Sequence, residues 1–169
     1  GLLTLACEHA GIQAAPISVA YSLQSSDLAK IKYITELLNP GLVYAADTGP
    51  FARALAIAGA NAEIVASKNS ANLANVTLFD QLAQTKPSAA LEKAVSSITK
   101  DTIAKFLFTS GSTNLPKAVV STHGMLTANQ EMIVGAWPYL EESPLVLCDW
   151  LPWNHTFGGS FCFNLAQRL

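Results

Sequence analysis

Charge is scarce in this sequence. Of the 169 residues, 13% are charged and 50% are hydrophobic, and the formal net charge is −2. A free-standing soluble domain of this size normally carries more charge on its surface. The composition therefore suggests that part of the apolar surface contacts polypeptide outside these residues. Because no run of like charges occurs, the sequence predicts neither a nucleic-acid partner nor a membrane surface.

Cysteine and long apolar stretches are also scarce. The three cysteines, Cys7, Cys148 and Cys162, are odd in number and show no CxxC spacing. This argues against a disulfide framework and against a zinc site, and we predict no metal ligands in the chain. Every apolar stretch is interrupted by Lys, Asp, Gln or Asn before it reaches the length of a membrane span. We expect reduced, buried thiols, a cytoplasmic location and no membrane span.

Both ends of the sequence lie inside apolar segments. The chain begins Gly1-Leu-Leu-Thr-Leu-Ala without an initiator Met, and it ends Phe163-Asn-Leu-Ala-Gln-Arg-Leu169 without a stop signal. We therefore expect residues 1–169 to be part of one larger domain, truncated at both ends. The remainder of its own chain would then be a partner.

Short apolar runs alternate with amphipathic stretches, which is typical of α/β layering. The pattern predicts helices that end at Gly11 and begin after Ser26 and Thr122, with these two side chains as N-caps. The apolar face of the last helix would hold Met125, Leu126, Met132 and Ile133. Further helices are predicted at 51–58, 78–84 and 89–98, and strands at 12–19, 42–46, 63–66, 103–108, 118–121 and 145–150.

A polar loop separates two of the predicted strands, and its residue types suit a polyphosphate. Such a ligand requires several donors, backbone N–H groups that approach closely, and a cation. Gly111 permits the close approach and Lys117 supplies the charge. The donors would be the hydroxyls of Thr109, Ser110, Ser112 and Thr113. The alternative is a polar hairpin rich in Ser and Thr, with Lys117 simply solvated.

Two other loop types do not fit these residues. A Walker A loop has Gly-Lys-Ser/Thr at the start of a helix, whereas here Pro116 precedes Lys117 and a predicted strand follows. A hydrolase nucleophile elbow has Gly two residues before and two residues after the serine. Neither Ser110 nor Ser112 meets that condition.

The loop Thr109-Ser-Gly-Ser-Thr-Asn-Leu-Pro-Lys117 resembles the phosphate-loop signature of the adenylate-forming superfamily. That superfamily includes acyl- and aryl-CoA ligases, luciferases and adenylation domains of peptide synthetases. Its pattern is Thr/Ser-Ser-Gly-Thr/Ser-Thr-Gly-x-Pro-Lys-Gly. This sequence has Asn114 and Ala118 at the two later glycine positions. Because Asn tolerates the left-handed backbone better than most residues, Asn114 is compatible with the turn.

A second segment, Asp149-Trp-Leu-Pro-Trp-Asn-His-Thr-Phe-Gly-Gly159, resembles the next motif of this superfamily. The resemblance implies that His155 is catalytic and lies near the substrate carboxylate and the α-phosphate. It also implies that Trp153, Phe157 and Gly158 bind the acid. A lone histidine is more often a structural residue bonded to backbone, and Trp153 fits a pocket wall and a plain core position equally well.

The resemblance extends over the whole chain. More narrowly, four segments together are similar to feruloyl-CoA synthase and its aryl-CoA ligase relatives. They are Ala20-Tyr-Ser-Leu, Pro40-Gly-Leu-Val-Tyr-Ala45, the helix predicted over Met125–Gln130 and Leu151-Pro-Trp-Asn-His-Thr-Phe-Gly-Gly159. The implied fold is part of the layered N-terminal α/β domain of an adenylate-forming enzyme. The C-terminal domain would be absent from residues 1–169.

The implied reaction joins a carboxylic acid to coenzyme A at the expense of ATP, with Mg²⁺ as cofactor. The acid would be a hydroxycinnamate such as ferulate, or another aryl acid. A fatty acyl-CoA ligase or another adenylation domain of the superfamily is the alternative within the family. Outside it, the chain could be a non-catalytic nucleotide-binding module or a purely structural α/β module. Because further family motifs lie beyond Leu169, we expect residues 1–169 alone to be inactive and to bind ATP weakly.

Overall fold

The structure is a computed structural model that describes residues 1–70, 73, 75–109, 115–144 and 146–169. Helices and strands are mixed along these ranges, which confirms the α/β class. The chain divides into two compact units. The first comprises the described residues of Gly1–Ile17, Ser88–Ser112 and Lys117–Leu169, and the second those of Ser18–Pro87 and Thr113–Pro116.

The helices and strands are numbered in chain order. The strands are β1 Leu42–Asp47, β2 Glu63–Lys68, β3 Val76–Leu78, β4 Ile103–Thr109 and β5 Lys117–Thr122. The helices are α1 Leu2–Ala10, α2 Val19–Leu23, α3 Ala29–Leu38, α4 Thr48–Ala58, α5 Phe79–Ala83, α6 Ala89–Ser96, α7 His123–Ala136 and α8 Phe163–Arg168. A 3-10 turn covers Pro138–Glu141, and a π-helical segment, Phe157–Cys162, leads into α8.

The second unit contains a three-stranded parallel sheet in the order β1-β2-β3. Parallel neighbours need a crossover connection, and α4 provides it between β1 and β2. The buried side chains of Ala45, Leu55 and Ile64 form the core between this helix and the sheet. Strand β3 was not predicted from the sequence because it has three residues and follows a polar segment.

Aspartate side chains accept hydrogen bonds at the starts of two helices in this unit, α3 and α4. Asp47 Oδ1 accepts a hydrogen bond of 2.9 Å from the Gly49 N–H and so caps α4. The prediction that Ser26 is the N-cap of α3 is wrong. Helix α3 begins after Leu28, and Asp27 Oδ1 accepts from the Ala29 N–H at 3.1 Å.

The first unit contains β4 and β5, both predicted as strands, and the structure pairs them as an antiparallel hairpin. The predicted cap of α7 is confirmed, because Thr122 Oγ1 accepts from the Met125 N–H at 3.2 Å. The apolar face assigned to this helix is wrong in part, since Met125 and Met132 are 61% and 65% exposed. The buried stripe of α7 instead consists of Leu126, Gln130, Ile133 and Val134.

Two predicted strands are not formed. Among residues 12–19, Ala14 makes a single bridge to Lys105, and Val19 already begins a helix. Since Pro16 has no N–H, it cannot continue the pairing. Residue 145 lies outside the described residues, and residues 146–150 form neither helix nor strand. Val146 and Trp150 are 91% and 86% exposed, unlike the side chains of a buried strand.

No helix within the described ranges is long and apolar enough to cross a membrane.

Candidate functional site

The end of the β4–β5 hairpin fixes two of the predicted phosphate-binding residues. Thr109 and Lys117 are the last pair in its register. The Thr109 hydroxyl donates a long hydrogen bond of 3.5 Å to the Lys117 carbonyl oxygen, and both residues are exposed. The intervening candidates, Ser110, Gly111, Ser112 and Thr113, lie outside the described residues. The hairpin therefore fixes both ends of the predicted loop.

Strand β4, which leads to this end of the hairpin, is largely buried. Ala104, Leu107 and Phe108 are 0%, 2% and 7% exposed, so both faces of the strand are packed along most of its length. Exposure begins at Thr109, where the strand ends.

The segment that carries His155 is braced by local hydrogen bonds. Asp149 Oδ1 accepts from the Leu151 N–H at 2.9 Å. The His155 N–H donates to the Pro152 carbonyl oxygen at 3.0 Å, and the His155 carbonyl oxygen accepts from the Gly159 N–H at 2.7 Å. The π-helical segment starts two residues after His155. Such segments occur often at functional sites because their widened turn redirects the backbone.

The imidazole of His155 is exposed. In the described part of the chain, no hydrogen bond or ion pair involves its side chain. The structural alternative, a histidine bonded to backbone in the core, therefore does not describe this position. Its ring nitrogens are accessible to a ligand, and the catalytic role of His155 stays a prediction.

Aromatic side chains flank His155. Trp153 is 45% exposed, and its ring centroid lies 4.8 Å from that of Phe163. Phe157 is 58% exposed and stacks on Phe161 at 4.8 Å with an interplanar angle of 10°. Each exposed ring is thus held by a second ring behind it. This arrangement leaves two apolar ring surfaces exposed, and the substrate-binding roles of Trp153 and Phe157 stay predictions.

Gly158 is buried where the chain passes close to itself. A Cβ atom at this position would lie 2.7 Å from the Pro152 carbonyl oxygen and 2.9 Å from that of Leu151. Gly158 therefore allows the π-helical segment to pack against the Leu151–Pro152 backbone. The substrate-binding role of Gly158 stays a prediction.

A buried lysine that the sequence patterns did not single out lies behind these residues. Lys105 is 1% exposed, and its Nζ lies 2.7 Å from Oε1 of Glu8. It donates hydrogen bonds to the Gly159 carbonyl oxygen at 3.0 Å and to Asn164 Oδ1 at 3.3 Å. The sequence predicts a strand over residues 103–108 and assigns no role to Lys105. A lysine inside such a strand is the one sequence signal that could have revealed this contact.

The first unit contains two groups of site residues, the hairpin end with Thr109 and Lys117 and the turn with His155, and Lys105 connects them. In the described residues, no hydrogen bond or ion pair joins the His155 side chain to Thr109 or Lys117. Strand β4 contains both Lys105 and Thr109, and Lys105 contacts the carbonyl of Gly159. The link between the hairpin and the His155 turn is thus a buried ammonium group.

Two cysteines of this unit, Cys7 and Cys162, are poor candidates for nucleophiles. Burial, together with Asp149, raises the pKa of the Cys162 thiol. Burial and the neighbouring carboxylate of Glu8 raise the pKa of Cys7. Since the thiolate is the reactive form, both thiols are less reactive than an exposed cysteine. All three cysteines are free.

The described residues contain no group of three or more His, Cys, Asp or Glu side chains that could hold a metal ion. Mg²⁺ prefers carboxylate and other oxygen ligands in an octahedral arrangement. The described residues therefore provide no cluster of side chains that would hold Mg²⁺ without phosphate oxygens of a ligand.

A family model described as "AMP-binding enzyme" matches residues 2–168 of the chain. Over 61 residues the chain is 39% identical to the medium-chain-fatty-acid–[acyl-carrier-protein] ligase JamA of Moorena producens (strain JHB). That alignment covers 36% of this chain and 10% of JamA.

Solved structures share the fold. The crystal structure of ATP-bound MatB from Rhodopseudomonas palustris matches with a TM-score of 0.67 and 23% identity, over 97% of this chain and 30% of MatB. The structure of McyG A-PCP complexed with phenylalanyl-adenylate matches with a TM-score of 0.64 and 20% identity, over 96% of this chain and 24% of that one. The chain thus spans less than a third of the proteins it resembles.

Proposed function

Because the chain belongs to the AMP-binding enzyme family, we propose that it contributes to ATP-dependent activation of a carboxylic acid. The acid oxygen attacks the α-phosphorus of ATP, and the bond from that phosphorus to the bridging oxygen of pyrophosphate breaks. Acyl-AMP and pyrophosphate result. In the second step, the sulfur of coenzyme A bonds to the acyl carbon, the thiol loses its proton, and AMP departs.

The observation that carries this proposal is the Thr109–Lys117 pair at the end of the hairpin. Negative charge builds on the departing pyrophosphate in the first step. Donors and a cation aimed at that charge lower the barrier, and they do so best when they are held in place beforehand. Lys117 and Thr109, with Ser110, Gly111, Ser112 and Thr113 between them in sequence, would supply these groups.

His155 is the proposed catalytic residue on the acid side. Its accessible imidazole lies on a turn braced at both ends by backbone hydrogen bonds. From there it would orient the carboxylate and shield it from the charge of the phosphates. No step of this proposal runs through a magnesium ion held by the described residues.

We propose a hydroxycinnamate such as ferulate, or another aryl acid, as the substrate. The exposed rings of Trp153 and Phe157 support this choice, because aromatic rings stack favourably on one another. The likeness to JamA favours a second candidate, a medium-chain fatty acid transferred to an acyl-carrier protein. Both candidates share the adenylation step and differ in acid and acceptor.

We further propose that residues 1–169 are part of the N-terminal domain of a larger enzyme located in the cytoplasm. The match to 30% of the MatB chain supports the first point. The three free cysteines and the need for ATP support the second.

The test is an ATP–pyrophosphate exchange assay on the protein as its gene encodes it. The acids would be ferulate, coumarate, benzoate, phenylalanine and a medium-chain fatty acid. We expect exchange with at least one hydroxycinnamate, followed by a CoA thioester visible by mass spectrometry. Exchange with the fatty acid and loading of a carrier protein would favour the second candidate. Absence of exchange with every acid would refute both.

A further inference from the structure

The ammonium of Lys105 is the most deeply buried charge in the described chain, with 1% of the side chain exposed. Four groups surround it: the Glu8 carboxylate, the Gly159 carbonyl, the Asn164 amide oxygen and the Phe163 ring, whose centroid lies 5.4 Å away. These come from α1, the π-helical segment and α8. One side chain on β4 therefore contacts three other elements of the first unit.

Stability alone does not account for such an arrangement. Removing an ammonium and a carboxylate from water costs much of what their attraction gains, and apolar residues of the same volume often do as well. A methionine at this position of a buried strand would pack without that cost. What a methionine cannot do is hold the Gly159 carbonyl at a fixed distance and direction.

That carbonyl belongs to the turn which carries the site residues. The Gly159 N–H donates to the His155 carbonyl oxygen at 2.7 Å, so the lysine is linked to the histidine backbone through a single residue, Gly159. Along β4, Lys105 and Thr109 lie four residues apart on the same face, about 13 Å at the rise of an extended strand. The strand is a fixed spacer between the ammonium and the start of the predicted phosphate loop.

We propose that Lys105 is a positioning residue: it fixes the His155 turn at a set distance from the Thr109 end of β4. This inference rests on the proposed function for its catalytic consequence. It assigns a role in acid activation to a residue whose side chain is buried away from the exposed site residues. Glu8 compensates the charge of Lys105, and Gly159 receives its directional hydrogen bond.

Variants that remove the ion pair with Glu8 or the hydrogen bond to Gly159 distinguish a role of Lys105 in positioning the turn from a role in stabilising the fold. Glu8→Gln removes the ion pair and leaves the bond to Gly159, so we expect a lower melting temperature with kcat for adenylation kept within about twofold. The double variant Glu8→Gln/Lys105→Met removes both charges and avoids leaving one buried alone. It should lower kcat about tenfold or more while the KM for ATP changes less than about twofold, because misplacement costs rate. Lys93→Met, at an exposed position of α6, is the control and should change neither.

A double-mutant cycle with His155→Ala distinguishes action through the turn from a general loss of structure. The exchange assay would be run on the wild type, Glu8→Gln/Lys105→Met, His155→Ala and their combination. We expect the combined variant to resemble His155→Ala within about twofold, since the lysine would act through the histidine. Losses that multiply would overturn the proposal and leave the proposed function intact.

Hydrogen exchange on the same proteins tests whether Lys105 holds the His155 turn in place, and it requires no enzymatic activity. In Glu8→Gln/Lys105→Met, amides of residues 152–164 should exchange about tenfold faster, while those of β5 keep their wild-type rates. Unchanged exchange over 152–164 would overturn the proposal. So would equal acceleration everywhere, because Lys105 would then be a general stabiliser. If the wild type activates no acid, the proposed function fails, and this measurement still decides whether Lys105 holds the turn.

Discussion

Thr109 and Lys117 face each other across the two strands of a hairpin, as the last pair before its loop. The position of the Lys117 Cα is therefore set by backbone pairing, even though its side chain extends into solvent. A cation placed in this way is available to a ligand at little cost to the fold.

Replacing Lys117 with Met should weaken ATP binding and leave stability unchanged. A hydrogen bond to a charged group contributes about 1.5–3 kcal/mol, so the KM for ATP should rise about 10- to 100-fold. The exchange assay measures the KM, and thermal denaturation checks the fold. Lys93→Met is the matched control on another exposed site. An unchanged KM for ATP in Lys117→Met would remove this lysine from the phosphate site.

His155→Ala should impair acid activation with no loss of stability, since the imidazole is exposed and unbonded within the described residues. We expect kcat for adenylation to fall about 100-fold, as for other positioned polar groups, with a smaller change in the KM for ATP. His9→Ala, at an exposed position in the last turn of α1, should retain full activity. Equal activity of the two variants would contradict a catalytic role for His155.

Gly158→Ala should destabilise the first unit. The added methyl group would lie 2.7 Å from a backbone carbonyl oxygen, which cannot shift as a flexible side chain would. Overpacking of this kind costs about 1–3 kcal/mol. Gly135→Ala in α7 is the control, because nothing lies within 4 Å of a Cβ there. Alanine in a helix should then stabilise by about 0.5–1 kcal/mol. Urea denaturation measures the free energy of unfolding of both variants. If Gly158→Ala stabilised the protein as Gly135→Ala does, the close packing described at Gly158 would be wrong.

Stability should depend on pH through Asp47. Hydrogen bonds from Asn69 and from the Gly49 N–H lower the pKa of this carboxyl in the folded state. A depressed pKa means that the carboxylate stabilises the fold above its unfolded pKa and that this contribution is lost as pH falls through the folded pKa. Asp47→Asn should therefore have a lower melting temperature than the wild type at pH 7. The difference should shrink as pH falls through the folded pKa of Asp47, which lies below the ordinary value for aspartate. A difference that stays constant as the carboxyl becomes protonated would contradict this account.

The sequence predicted elements whose signals are local. Strand β4 is predicted correctly because its signal is a continuous apolar run. The Thr122 cap of α7 is predicted correctly because the cap lies within a few residues of the N–H group that it accepts from. The turn around His155 was found from its resemblance to a family motif. The strand predicted at 12–19 failed because pairing depends on a distant partner, and Pro16 limits it to a single bridge.

Lys105 shows why the rest of the site could not be predicted. Its partners lie 54 and 59 residues further along the chain and in the first helix, so no spacing rule connects them. Similarly, Met125 and Met132 fit a helical apolar stripe, and the elements packed against α7 select a different stripe. Tertiary packing therefore decides which of the two possible faces of α7 is buried.

The burial of Lys105 also has a consequence for how the protein reaches its native state. The β4–β5 hairpin joins residues close in sequence and can pair early, whereas the partners of the ammonium must arrive from distant parts of the chain. An ammonium that entered the core before those partners would be desolvated without compensation. We expect α1 and the π-helical segment to dock together, late in folding, so that mutations at Glu8 accelerate unfolding and leave the folding rate nearly unchanged.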